Sequence, residues 1–312
     1  MVTITTKGKR VGDLLKQRQD DICQQLNAID GSNYKEDNWS RTGGGGGITR
    51  IIESAVYEKA GVNTSNVFGV IKDTEVGMFN QLIKRVNKDA SITTNSEFFA
   101  TGVSLVIHPK NPYIPTVHAN YRYFEVTLDD GQLLWWFGGG ADLTPYYLDE
   151  DDAKHFHRVH KTVCEQYKTG SYDTFKDACD NYFYLPHRQE TRGVGGIFFD
   201  YINDDFESIF NFISSASAAF VEAYTPIVER QKDCTYTPEE RHWQCIRRGR
   251  YAEFNLLHDR GTLFGLKTNG RIESILMSLP PRVRWQYNKQ VEEGSEEQQL
   301  IEVLKNPKSW VS

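Results

Sequence analysis

The residues best equipped for chemistry fall in one short span. Between Gly102 and Leu128 the chain reads GVSLVIHPKNPYIPTVHANYRYFEVTL, two strand-forming runs around a loop holding Pro109, Pro112 and Pro115. Alternate side chains of a strand project to opposite faces. Ser104, Val106 and His108 therefore share one face of the first run, and His118, Asn120 and Arg122 share a face of the second with Phe124 and Val126. A histidine, an amide and a guanidinium in succession make a poor apolar core. They suit proton transfer and the capture of an acidic or hydrogen-bonding ligand. A hairpin at a sheet edge with a merely solvated polar face has the same pattern, and parity alone does not separate the two.

A carboxylate and several more cations follow. The apolar strand Gln132–Phe137 runs into Gly138-Gly139-Gly140-Ala141-Asp142-Leu143-Thr144-Pro145. Three glycines at a strand end free backbone N–H groups beside Asp142. Alternatively, Thr144 and Pro145 cap a short helix and Asp142 supports that turn. Residues 187–196, HRQETRGVGG, form a polar loop before a strand at 197–202, a common position for substrate contacts. Between Arg241 and Arg284 stand eight Arg and Lys267 against Glu253, Asp259 and Glu273. Guanidinium forks bind carboxylates and phosphates at two points, which an ammonium does not. Surface or intersubunit ion pairs account for some of these Arg.

Other features exclude chemistries. His155, His157 and His160 lie on one helix but do not form HExxH, and they read as surface or packing histidines. The Gly43–Gly47 run lacks the Lys-Ser/Thr ending of a phosphate loop and reads as a flexible turn. The 5 cysteines contain no CxxC, which points to a reducing compartment rather than a zinc site or disulfide framework. A net charge of −6 argues against general affinity for nucleic acid. No run approaches the roughly 18 apolar residues of a membrane span, and no apolar signal core opens the chain. A soluble, cytoplasmic protein is expected.

Apolar periodicity predicts helices at 10–29, 76–88, 149–168, 175–183, 205–231 and 291–304, with another opening at the capping box Thr237-Pro-Glu-Glu240. Strands are expected at about 48–57, in the hairpin, at 132–137 and at 197–202. Three more short strands are expected at 251–257, 262–267 and 272–277, with turns at His258–Gly261 and Asn269-Gly270. No repeat or linker divides the chain. The prediction is a single α+β domain over 1–312 with a large antiparallel sheet, and residues 1–9 as a loose tail.

Four blocks make a more specific statement: GVSLVIHPKNPYIPTVHANYR, WWFGGGADLTPYYL, HRQETRGVGGIFFDYI and RGRYAEFNLLHDRGTLFGLKTNGRIESILMSLPPRVRW. Together, from about residue 43 to Trp285, the chain closely resembles the oxygen-dependent coproporphyrinogen-III oxidases. The resemblance implies a large flat antiparallel sheet covered by helices on both faces. It also implies a homodimer with contacts around 103–112 and 251–287. The implied reaction is oxidative decarboxylation of the ring A and B propionates of coproporphyrinogen III to vinyl groups, giving protoporphyrinogen IX. Oxygen is the oxidant and no organic cofactor is used.

Residue by residue, the resemblance makes Ser104 a substrate contact, His118 a proton donor, Asn120, Tyr121 and Arg122 an adjacent substrate contact, and Asp142 an aspartate implicated in catalysis. The family's late Gly-Gly-Arg contact stands here as Asn269-Gly270-Arg271. Asn tolerates left-handed backbone geometry, so that turn should survive. His108, His118, His157 and His187 match positions proposed as metal ligands in bacterial members; other members work without metal, and none is expected here. An electron-rich substrate with four carboxylates accounts for an Arg-rich site in an acidic protein. Arg122 and Arg271 are the leading propionate clamps, with Arg192 and Arg250 in reserve. Asp142 is expected at the pyrrole N–H groups and His118 as the proton source. A non-catalytic porphyrin carrier and a histidine-metal oxygenase are the rival readings.

Overall fold

The structure is a computed structural model that describes residues 2–167, 171–268 and 270–311. Seven strands make one antiparallel sheet: β1 (Tyr34–Ser40), β2 (Gly45–Ile52), β3 (Tyr57–Val70), β4 (Glu97–Pro109), β5 (Thr116–Thr127), β6 (Leu133–Thr144) and β9 (Gly195–Ile202), paired in that order. Between β6 and β9 the chain forms α3 (Glu150–Glu165), α4 (Tyr172–Tyr182) and a two-stranded ladder, β7 (Tyr184–Leu185) with β8 (Glu190–Thr191).

Strand parity divides the sheet into an apolar and a polar face. Val103, Leu105, Ile107, Ala119, Tyr121 and Tyr123 point to one side. There they join α1 (Thr6–Asp30), α3 and α5 (Phe206–Gln231) in the main core. Each such side chain taken out of water contributes about 1.5–3 kcal/mol, so this layer fixes the sheet. Among the described residues, the opposite face is covered mainly at its two ends. At one end α2 (Asp73–Ile83) packs Phe79 and Ile83 against Phe98, Val126 and Trp136. At the other lie α6 (Pro238–Leu257), α7 (Arg260–Lys267) and α8 (Ile272–Leu276). Ser274 bonds Thr49 and Asn63 there, and Ser278 accepts from His108. Between the two covers, Ser104, Asn120 and Arg122 remain partly open. A last helix, α9 (Glu296–Lys305), closes the chain. Helices on both faces of a large antiparallel sheet match the expected α+β architecture.

Several local expectations are corrected. The segments 251–257, 262–267 and 272–277 are helical, not strands. Trp243, Arg247, Tyr251 and Phe254 continue one buried stripe at three- and four-residue steps, so α6 runs through the first of them. Asp259 caps α7 by accepting from Thr262 N, where a hairpin turn was expected. Gly270 N bonds Gly265 O as a helix exit, and Asn269 lies outside the described residues. Thr144 ends β6 and caps nothing; the helix that follows is capped by Asp149. The glycine run is mostly strand: Gly43 and Gly44 turn, whereas Gly45, Gly46 and Gly47 lie in β2, with positive φ at Gly44 and Gly45. A Cβ on Gly46 would come within 2.1 Å of Trp39 O. Strand β1, polar and exposed, gave no signal in the sequence.

The expected loose tail is also corrected. Thr3 N donates to Glu97 at 3.1 Å, and Thr5 donates to buried Glu125 from its N (3.1 Å) and its Oγ1 (2.5 Å). Glu125 thereby anchors the start of α1 to the apolar side of β5.

Candidate active site

The site is written in the β5–β6 register. His118 stands opposite Asp142, Asn120 opposite Gly140, and Arg122 opposite Gly138. The glycines are therefore not a strand end but the middle of β6. They are small because neighbours crowd them: a Cβ on Gly140 would lie 2.3 Å from Ile197 O. The polar residues of β5 thus stand beside a strip of bare backbone.

At the upper end of this strip, an imidazole, a carboxylate and a guanidinium form a chain. His118 Nδ1 lies 2.9 Å from Asp142 Oδ1. Arg192, on the loop after β8, donates through Nη2 to both Asp142 oxygens, at 2.9 and 2.8 Å. Its Nη1 donates to Asn255 at 2.8 Å. The guanidinium is also enclosed by the rings of Phe183, Tyr251 and Phe254, 4.1–4.8 Å from their centroids. Asp142 and Arg192 side chains are each only 2% exposed, against 23% for His118. Burial by itself pushes the Asp142 carboxyl up, but the Arg192 and His118 contacts outweigh it and hold Asp142 below its ordinary range. Asp142 therefore stays ionised behind the imidazole. The arrangement fixes His118 through Nδ1 and leaves Nε2 as the nitrogen available to a ligand.

Asp259 is a functional candidate that sequence reasoning treated as a turn residue. It accepts from Tyr182 OH at 2.8 Å and from Thr262. Burial raises its pKa, yet these hydrogen bonds and the charge of His118 bring the net shift below the ordinary value. His118 thus has a second carboxylate within electrostatic reach. The available signal was the two titratable residues side by side in His258-Asp259.

The remaining candidates separate. Ser104 pairs with Asn120 in register and shares its half-buried face. Arg122 donates to Asn120 Oδ1 at 2.9 Å and lies 3.0 Å from Asp200. Tyr121 points into the core, where its hydroxyl donates to Ala216 O at 2.9 Å, so its side chain is not in the cleft. Arg271 occupies the N-cap position of α8 without a capping side-chain bond, next to Gly270, and its guanidinium pairs with Asp37 of β1. Arg192 is no reserve clamp, being the buried partner of Asp142. Arg250 is held by Glu253 at 3.2 Å and Glu190 at 3.8 Å.

The four histidines considered as metal ligands are dispersed in function. His108 uses both ring nitrogens, on Thr116 (3.0 Å) and Ser278 O (2.9 Å). His157 likewise bonds Tyr172 (2.7 Å) and Val194 O (3.0 Å). His187 bonds Glu253 and His258. Among the described residues, no group of three or more His, Cys, Asp and Glu is arranged to hold a metal ion. The donor set does not fit such a site.

Burial keeps three rings neutral: His157 is pushed down to about 3, His160 to about 4, and His108 well below the ordinary value. Below about pH 6.5 the unfolded chain takes up protons at these positions and the folded chain does not, so stability falls with pH. Three such rings should together cost about 3–4 kcal/mol between pH 6 and pH 5. Urea titrations at those two pH values test this; equal midpoints would mean that the folded state accepts the protons.

A family profile described as Coproporphyrinogen III oxidase matches residues 10–310. Among curated relatives, the chain is 50% identical over 307 residues to the oxygen-dependent coproporphyrinogen-III oxidase of Drosophila melanogaster, covering 97% of this chain and 78% of that protein. It is 48% identical over 314 residues to the chloroplastic protein of Glycine max, covering 98% and 80%. It is also 48% identical over 303 residues to the mitochondrial protein of Rattus norvegicus, covering 96% and 68%.

Proposed function

Because the chain belongs to the coproporphyrinogen III oxidase family, we propose that the open strip of β4, β5 and β6 seats its tetrapyrrole, with the reacting propionate at His118. The enzyme is an oxygen-dependent coproporphyrinogen-III oxidase that converts its substrate to protoporphyrinogen IX in haem biosynthesis. At each reacting propionate the bond to the carboxylate breaks and carbon dioxide leaves. The electron pair of that bond forms the vinyl double bond, while the ring-side carbon loses a proton and two electrons. Oxygen accepts the electrons.

The observation that carries the assignment of roles is the Asp142–His118 contact, backed by Arg192. Nδ1–H donates to the carboxylate, so Nε2 faces the substrate and hands a proton to reduced oxygen or receives one from the substrate. Asp142 is too buried to reach pyrrole N–H groups and acts through the imidazole. Asp259, less enclosed, is the better candidate for a carboxylate near the macrocycle. Arg122 and Arg271 bind propionates, the latter by leaving Asp37. Ser104, Asn120 and the backbone of 270 complete the polar lining. No metal or organic cofactor takes part in this scheme.

We further infer a homodimer. Residues 103–109 are largely buried within one chain, so little of 103–112 remains for a partner. In contrast Leu257, Ile272, Trp285 and Tyr287 are 55–99% exposed, which favours the 251–287 region as the contact. Among the described residues no helix is long and apolar enough to cross a membrane. Free cysteines support a reducing, cytoplasmic location; fluorescent-fusion imaging tests it.

One assay tests the reading: purified protein, coproporphyrinogen III and air, with anaerobic and chelator-treated controls. Product in air alone, unaffected by chelator, is expected. Binding without product would support a carrier, and loss of activity on chelation would support a metal oxygenase.

A further inference from the structure

At the outer end of the polar strip, Arg122 is joined by Asp200 and Arg260, two residues that the reaction scheme does not use. Asp200 Oδ2 lies 3.0 Å from Arg122 Nη2 and 3.6 Å from Arg260 Nη2. One carboxylate therefore faces two guanidiniums, and it is the least exposed of the three at 14%, against 38% and 46%. Each guanidinium has five N–H donors, so both retain donors that Asp200 does not occupy.

Three features show that this corner is built rather than incidental. First, β9 bulges here: Phe137 pairs with Ile202 and Gly139 with Phe199, which leaves one extra residue on β9. Tyr201 takes φ +59, uncommon for a bulky residue, and its N–H donates to Asp200 Oδ1 at 3.1 Å. Second, Gly138 leaves room underneath, since a Cβ there would meet Asp200 Oδ1 at 2.5 Å and Arg122 Nε at 2.9 Å. Third, Arg260 lies over the Tyr182 ring at 4.7 Å, which restricts its guanidinium.

Resting on the substrate reading above, we propose that Asp200 is a positioning residue that sets Arg122 and Arg260 as a two-guanidinium fork for a propionate that does not react. Arg122 and His118 are four residues apart on β5, about 13 Å at strand rise. A propionate arm with two methylenes does not span that distance, so the carboxylate in the fork belongs to a different ring from the one at His118. The fork selects how the macrocycle is turned over the strip, and thereby which rings reach the imidazole.

The test is steady-state turnover of coproporphyrinogen III by Asp200→Asn, Arg260→Ala and Gly138→Ala, which disturb the fork by three separate routes. Each should raise KM roughly 10-fold, the scale of a charged hydrogen bond, with kcat nearly unchanged. Asp200→Ala added to the Arg122→Ala, Arg260→Ala double variant should cost no more than that double variant alone. With an analogue whose two non-reacting propionates are replaced by ethyl groups, the parent should show the raised KM and the variants no further loss. Unchanged KM in folded variants, or full additivity, overturns the fork. A parent protein that fails to consume coproporphyrinogen III would instead overturn the substrate reading itself.

Discussion

Asp142→Ala is expected to cost about 3–5 kcal/mol of folding stability in addition to its activity, because it strands a buried guanidinium. Arg192 is 2% exposed and delivers one nitrogen to both Asp142 oxygens. Without that anion the cation keeps only Asn255 and three aromatic faces. Those contacts do not replace water around a full charge. Asp142→Asn separates the two roles, since its amide oxygen still accepts from Arg192. That variant should fold with a smaller loss and yet turn over far more slowly, with KM little changed. Chemical denaturation beside steady-state kinetics measures both. A stable Asp142→Ala protein, within about 1 kcal/mol of the parent, would show that Arg192 finds solvent or another anion.

His118→Ala should behave in the opposite way. It should lower kcat by about 10²–10⁴-fold, the usual scale for a lost general acid or base, and leave stability nearly untouched. The imidazole is the exposed member of the chain, and Asp142 retains both contacts to Arg192 when it is removed. Partial recovery with added imidazole would identify the missing function as proton transfer. Near-parent kcat would remove His118 from the chemistry and shift attention to Asp259 and Tyr182.

The contrast shows what the sequence made legible. Strand parity grouped His118, Asn120 and Arg122 correctly, because period-two alternation needs no tertiary information. It also placed Tyr121 off that face, although the resemblance carried it into the substrate contact. The pairing of Asp142 with His118 depends on the β5–β6 register, which the three glycines disguised as a strand end. Arg192 looked like a ligand clamp because an Arg in a loop carries no mark of burial. Its aromatic enclosure comes from residues 183, 251 and 254, far apart in the chain. The misread strands at 251–277 share one cause. Short apolar runs fit either period, and for the first of them the deciding evidence was the stripe beginning at Trp243.

The N-terminal anchor also determines how the enzyme can be handled. Thr3 and Thr5 are bonded to Glu97 and Glu125, on the apolar, core side of the sheet. A tag, tether or leader joined ahead of these residues leaves from the side opposite the polar strip. Immobilising the protein through that end would turn the strip toward bulk solvent. A bulky tetrapyrrole and dissolved oxygen would then both approach unobstructed, and the support would act as an orienting scaffold.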